Sequence, residues 1–307
     1  MLLHVLTSTA GLPSIAVGTG VTRIGPAAPV AFASHPGHGV WMEGVVADVG
    51  GTWYGYYHNE IPAEQCGRPD RVVPRIGAAR SGDFGTTWED LGVILEAPPG
   101  ALVCDSPNGY FLGGIGDLSV ALDHDSDYLY IFFSQYSREP EAQGVSVARM
   151  QWAARDEPAG QVDVWVDGLW LPPRTVRGFD ETTIAAWEYL AGTPLVVPTD
   201  SWHGEETADA FWGPSVHWNT FLERYVMLLN RTRDEGFTQE GIYMSFATTL
   251  DDPASWSPPE RLLEGGSWYP QVMGLTRGTG SDKEAGDRAR FFMGGASDYL
   301  IVFSFEP

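Results

Sequence analysis

The sequence predicts an all-β protein, folded as one five-bladed β-propeller domain over residues 1–307. With 37 Gly and 22 Pro among 307 residues, a chain breaker arrives about every five positions, which excludes long helices and coiled coils. A hydrophobic share of 43%, with 12 Trp, 12 Tyr and 14 Phe, excludes disorder and supplies a sizeable core. A strand–turn–strand plan also recurs along the chain, and repeated units of this kind bury their apolar faces by stacking on their neighbours.

The first unit runs from an apolar strand at Val45–Ala47 through the turn Gly50-Gly51 to strands at Thr52–Tyr57 and Arg75–Arg80, then Ser81–Trp88 and Gly92–Leu95. The second has strand Leu118–Leu122, the acidic turn Asp123–Asp127, strands Tyr128–Phe133 and Gly144–Met150, and later Trp165. The third has Pro214–Trp218, a turn at Asn219–Glu223, strands Tyr225–Leu229 and Gly241–Phe246, then Asp251–Trp256 and Glu260–Leu263. A fourth consists of Tyr269–Gly274, Arg290–Met293 and Leu300–Phe305. Apolar runs of about five residues between turn formers suit strands buried between stacked sheets. The inner strands are spaced 73, 96 and 57 residues apart, an irregular period that suits propeller blades. The first 40 residues and Trp170–Pro198 remain for a fifth blade, with an N-terminal strand pairing against the last strands to close the ring. A β-sandwich with long loops is the competing architecture.

Charge narrows the partners. A formal net charge of -22 repels phosphate backbones and anionic membranes, so neither nucleic acid nor a membrane surface is an expected partner. Cys66 and Cys104 lie 38 apart, a spacing equally compatible with a disulfide and with two free thiols, and it matches no metal motif. The apolar opening Met1–Leu6 has no basic n-region, so no signal peptide is legible. There is no phosphate loop, dinucleotide fingerprint or Gly-x-Ser-x-Gly elbow.

The segment Ser81-Gly82-Asp83-Phe84-Gly85-Thr86-Thr87-Trp88 matches the Asp-box pattern Ser-x-Asp-x-Gly-x-Thr-Trp, and Ser245–Trp256 is a degenerate copy. Together with Gly116–Val120, Phe211–Val216 and Trp268–Gln271, these segments resemble the five-bladed propeller glycosidases of the family-43 and family-32 type, with sialidase-like relatives. The resemblance implies a glycoside hydrolase acting on poly- or oligosaccharides, furanosides among them. It also implies an axial pocket, no required cofactor, room for a structural calcium near a buried histidine, and a secreted or periplasmic setting rather than a cytoplasmic one. The oligomeric state is open.

Glycosyl transfer to water needs one carboxylic acid and one carboxylate. Glu43, Asp117 and Asp209 precede or open inner strands and are the candidate catalytic set. Glu43 stands where the family carries an Asp, and Asp117 matches the second-blade Asp that positions substrate and tunes pKa values. The local motif of Asp209 departs from that of the family's acid. His58 and Glu60 alternate onto one face, where they would bind sugar hydroxyls, donate a proton or hold a metal, although neither has metal-motif spacing. Trp41, Trp212, Trp268 and Tyr269 are candidate sugar-stacking rings, and His217 and Gln271 are further substrate-binding candidates. Arg80, Arg149 and Arg231 end strands in three units and would form a carboxylate-binding trio if they faced inward. Two alternatives to hydrolysis remain: a non-catalytic propeller that binds glycans or protein, and a sialidase-like enzyme for acidic sugars.

Overall fold

The computed structural model describes residues 2–123, 126–177, 184–204, 207–275 and 281–305. The chain is a five-bladed β-propeller. Blade 1 holds strands Leu3–Thr9, Leu12–Gly18 and Ala28–Pro29. Blade 2 runs Gly39–Ala47, Trp53–Ala63, Arg68–Ser81 and Thr87–Leu95, joined at its outer edge by Ala31–Phe32. Blade 3 runs Ile115–Leu122, Tyr128–Tyr136, Gln143–Gln151, Asp163–Val166 and Leu169–Leu171. Blade 4 runs Ala210–Asn219, Arg224–Thr232, Gln239–Ala247 and Glu260–Glu264, with Glu284–Ala285 added in parallel to its first strand. Blade 5 holds Gln271–Gly274, Arg288–Met293 and Ala296–Val302.

Burial follows from stacking. The first strand of blade 3 is covered on both faces by neighbouring blades, so Ile115–Ala121 is buried at every position, Asp117 and Ser119 included. Outer strands lose that cover, and Glu260–Glu264 is mostly exposed. Separate apolar clusters fill the seams: Tyr54, Tyr56, Val120 and Ile131 between blades 2 and 3, Tyr130, Val147, Val216 and Met227 between blades 3 and 4, and Val226, Ile242, Val272 and Phe291 between blades 4 and 5. Of the expected tryptophans, Trp165 and Trp256 pack against the seam between blades 3 and 4, and Trp88 joins a further cluster with Val40, Met42 and Tyr57. Trp88 is 1% exposed, lies within the fourth strand of blade 2 rather than before it, and donates its indole N–H to the Gly85 carbonyl. In the preceding turn, Asp83 accepts from the Thr87 backbone N–H (2.8 Å) and hydroxyl (2.6 Å), while Ser81 Oγ accepts from the Gly85 N–H.

Two expectations about closure need correction. The N-terminal strand pairs with its own neighbour, because Ala10 and Gly11 adopt left-handed conformations (φ 50° and 70°) that close a two-residue hairpin. Local closure orders far less chain than pairing across nearly the whole sequence. Among the described residues, no strand pair links blade 1 to blade 5. The stretch from Trp170 to Pro198 is not a blade either: Leu169–Leu171 extends blade 3, and Arg174–Arg177 pairs with Ile184–Glu188 in a two-stranded ribbon. The acidic turn at Asp123–Asp127 includes positions 124 and 125, which lie outside the described residues. Among those described, no helix is long and apolar enough to cross a membrane.

Cys66 and Cys104 form a disulfide that ties the hairpin of blade 2 to the loop leading into blade 3. Arg68 Nη1 reinforces the tie by donating to the Ser106 carbonyl at 2.7 Å. Replacing both cysteines with serine is expected to lower the unfolding free energy by about 2–4 kcal/mol, because the unfolded chain regains the freedom of the closed loop. Denaturant titration of the oxidised protein and the double variant measures this, and unchanged stability would show that the loop is held by other contacts.

Candidate active site

The inner strands of blades 2 and 3 each carry one residue that the pairing register skips. In blade 2, Met42 faces Tyr57 and Gly44 faces Tyr56, leaving Glu43 unpaired. In blade 3, Gly116 faces Ser134 and Leu118 faces Phe133, leaving Asp117 unpaired with φ 42°. Such bulges break the two-residue alternation and re-aim a side chain. These two bulges bring Glu43 and Asp117 together around His58 of blade 2's second strand.

His58 Nδ1 lies 3.6 Å from Glu43 Oε1 and 3.7 Å from Asp117 Oδ1. The His58 and Asp117 side chains are 3% and 2% exposed, whereas Glu43 keeps 18% open and is the accessible member. Gly116 permits this approach, since a Cβ there would lie 2.7 Å from the imidazole Cε1. The carboxyls are also held from outside the trio. The Leu118 N–H donates to Glu43 Oε2, and Asp117 accepts the hydroxyls of Tyr136 and Tyr269, the latter at 3.2 Å.

Burial raises the Glu43 pKa, and His58 only partly offsets it. Burial opposes a charge on His58, but the Asp117 and Glu43 carboxylates outweigh it and raise the imidazole to about 10. One oxygen from each carboxyl and Nδ1 lie within 4.8 Å of one another, a spacing that a divalent ion could bridge. In the neutral tautomer, however, the Nδ1 lone pair accepts the Asp117 N–H at 3.2 Å, and each carboxyl already takes a backbone or phenol donor. A metal at this point would therefore compete with hydrogen bonds that all three groups already make.

The equivalent bulge in blade 4 falls at Gly213-Pro214, between the pairs Trp212–Asn230 and Ser215–Leu228. Gly213 has φ 57°, and a Cβ there would lie 2.5 Å from Asn230 Nδ2, so blade 4 offers no carboxyl at this level. Asp209 lies four residues earlier and is held by Arg231 Nε and the Thr199 hydroxyl, both at 2.7 Å. Burial works against the Asp209 carboxylate, but these hydrogen bonds outweigh it and lower its pKa, which does not suit a proton donor. The structure thus joins Glu43 to Asp117 but leaves Asp209 in a separate ion pair.

The aromatic candidates divide by exposure. Trp212 is 2% exposed and packs edge-on against Phe237, Trp268 and Tyr269, so it supports the wall and has no free face for a sugar. Trp268 is half-buried, and Tyr269 is 42% exposed in a left-handed conformation (φ 59°). Trp41 faces His58 across the strand pair, with its indole nitrogen buried and unpartnered. Glu60 faces Gly39 at the strand end and is half-buried, and Gln271 is exposed at the start of blade 5. His217 is fully buried against Phe303, and burial pushes its pKa down to about 3.

Sequence reasoning missed Tyr136, Tyr110 and Phe237. Tyr136 ends the second strand of blade 3, one position beyond Gln135, the residue that matches His58 of blade 2, so no repeat position signalled it. The arginines do not converge. Arg80 pairs with Glu89 and Asp156, Arg149 pairs with Asp251 between Tyr128 and Trp170, and Arg231 pairs with Asp209. Arg80 also lines a cleft of about 560 Å³ at the opposite end of blade 2, with Asp48, Tyr54, Arg155 and Asp156, where the charges neutralise one another.

The cluster sets a sign for pH dependence. His58 has a folded pKa above its unfolded value of 6.5, so its attraction to the carboxylates is fully present below pH 6.5 and lost as the pH rises through about 10. Unfolding free energy should therefore fall across that interval in the wild type and vary less in His58→Gln. Urea titrations at several pH values test this, and parallel pH profiles would show that His58 is uncharged.

No protein-family model matches the chain, and no curated protein sequence does. Solved structures do. A thermostable family-43 glycoside hydrolase superposes with TM-score 0.51 at 12% identity, over 100% of this chain and 91% of its own. The α-L-arabinanase of Penicillium chrysogenum gives TM-score 0.50 at 14% identity, over 93% and 68%. Zg3597, a family 117 glycoside hydrolase from the marine bacterium Zobellia galactanivorans, gives 0.45 at 13%, over 85% and 68%. The chain thus spans about two thirds of the latter two proteins, and it shares the five-bladed propeller fold of the family-43 hydrolase and the arabinanase.

Proposed function

We propose that this protein is a glycoside hydrolase acting on oligosaccharides, furanosides among them, with Glu43 and Asp117 as its working carboxyls. The observation that carries the reading is the pair itself, two carboxyls projected from matching bulges of adjacent blades beside exposed aromatic rings. The fold adds support by analogy, since the Penicillium relative was solved with arabinobiose.

In this reading Glu43, open to solvent and with a raised pKa, protonates the leaving oxygen. Oxygens of the two carboxyls lie within 4.8 Å of one another, closer to the roughly 5–5.5 Å of retaining enzymes than to the wider inverting separation. Asp117 then attacks the anomeric carbon once the Tyr269 hydroxyl swings aside. Glu43, now a carboxylate, takes a proton from the water that releases the sugar. His58 holds the proton balance between the two. The disulfide fits an oxidising, secreted or periplasmic setting, and the Ser81–Trp88 turn carries the hydrogen bonds expected of an Asp-box.

A second reading, a non-catalytic glycan-binding propeller, is favoured by the missing carboxyl at Gly213-Pro214. A screen of aryl glycosides and oligosaccharides, arabinofuranosides included, separates the two. For any substrate found, Glu43→Gln and Asp117→Asn should each reduce kcat by about 10²–10⁴-fold. Unchanged turnover in both variants would remove this pair from the mechanism.

A further inference from the structure

We infer that the axial mouth selects a sugar bearing a positively charged nitrogen, an amino sugar with a free ammonium group, over neutral and anionic sugars. The inference rests on the hydrolase reading for the identity of the site and adds the charge of its ligand.

The mouth beside Asp117 is a corner of aromatic rings set nearly at right angles. Tyr110 meets Trp268 at 80° with centroids 5.9 Å apart, and Trp268 meets Tyr269 at 89°. Tyr110 and Tyr269 remain 44% and 42% exposed, so this corner has ring surface open to a ligand. The exposed surface of Tyr110 and Tyr269 offers negative π density, which attracts a cation and adds little for a neutral hydroxyl.

The charges in and around the corner have the same sense. Tyr269 donates to Asp117, and its phenol also experiences the charges of Glu43 and Glu60. Against these three carboxyls the cluster sets one basic group, His58. Two neighbouring cations are paired elsewhere, Arg231 with Asp209 and Arg138 with Asp105, while Arg75 Nε donates to the neutral Asn59 Oδ1. A ligand ammonium would reduce the excess of negative charge, whereas a sugar carboxylate would add to it. The net charge of -22 acts in the same direction at longer range.

The test titrates the intact protein with glucosamine, N-acetylglucosamine and glucose at mildly acidic pH, following tryptophan fluorescence. These monosaccharides have no glycosidic bond, so binding is read apart from turnover. Glucosamine should bind about tenfold more tightly than the other two, and high salt should weaken the preference. Glu60→Gln, with its half-buried side chain, and Trp268→Leu should each reduce it. Equal affinities, or tighter binding of glucose or N-acetylglucosamine, would overturn the inference. Hydrolysis of a neutral glycoside with no ammonium preference would overturn it and leave the hydrolase reading standing. The preference without hydrolysis of any glycoside would support the inference and overturn the hydrolase reading instead.

Discussion

The candidate site depends on a hydrogen-bonded relay between successive blades, made where inner strands break their own pairing. The Leu118 N–H reaches back to Glu43 in blade 2. Ser134 Oγ donates to the Asp117 carbonyl and accepts from the Gly213 N–H of blade 4, and the Tyr269 hydroxyl, just ahead of blade 5, returns to Asp117. A regular strand would satisfy its amides within its own sheet. The bulges free an amide or a side chain in blades 2, 3 and 4, so these blades are tied near the axis by polar contacts as well as by the apolar seams. Asp117 is the junction, since its side chain, carbonyl and amide each contact a different partner.

That junction explains the electrostatics. Burial and the nearby Asp117 raise the cost of ionising Glu43, and the structure sets one imidazole and two phenols around the two carboxyls rather than an arginine. A guanidinium would hold both carboxyls ionised. An imidazole leaves the proton count adjustable, which suits chemistry that moves a proton. Arg231 and Arg149 are instead paired away from the site, with Asp209 and Asp251.

Position along the blades separates chemistry from support. The bulges lie toward the entry ends of the inner strands, and there the disulfide-tied loop delivers Tyr110 and Phe111 into the aromatic cluster of Tyr136, Trp202, Trp212 and Phe237. Ser106 Oγ lies 2.6 Å from His203 Nδ1 and so joins this loop to the one preceding blade 4. At the other end, the Ser81–Trp88 turn and its charged cleft are saturated by their own hydrogen bonds and ion pairs. Saturated groups stabilise a blade; the groups left partly open, Glu43 and Tyr269, are the ones able to meet a ligand.

Much of the architecture was legible in the sequence because strand, turn and seam are local properties. Runs such as Leu118–Leu122, the Gly and Pro turns, and Trp88 after its Asp-containing turn each follow from short-range chemistry, and their repetition gave four of the five blades. Glu43, Asp117 and His58 were legible as candidates because they flank inner strands or alternate with them. Closure of the ring and membership of the site were not. Whether the N-terminal strand pairs locally or at long range depends on the left-handed pair Ala10-Gly11. That Asp209 turns to Arg231 while Tyr136 turns to Asp117 depends on which residues the register skips. A one-residue slip sends a side chain to the opposite face. The sequence by itself therefore determined the blades and supplied the acids, and tertiary packing alone decided which acids meet, because the bulge register exists only once neighbouring strands have paired.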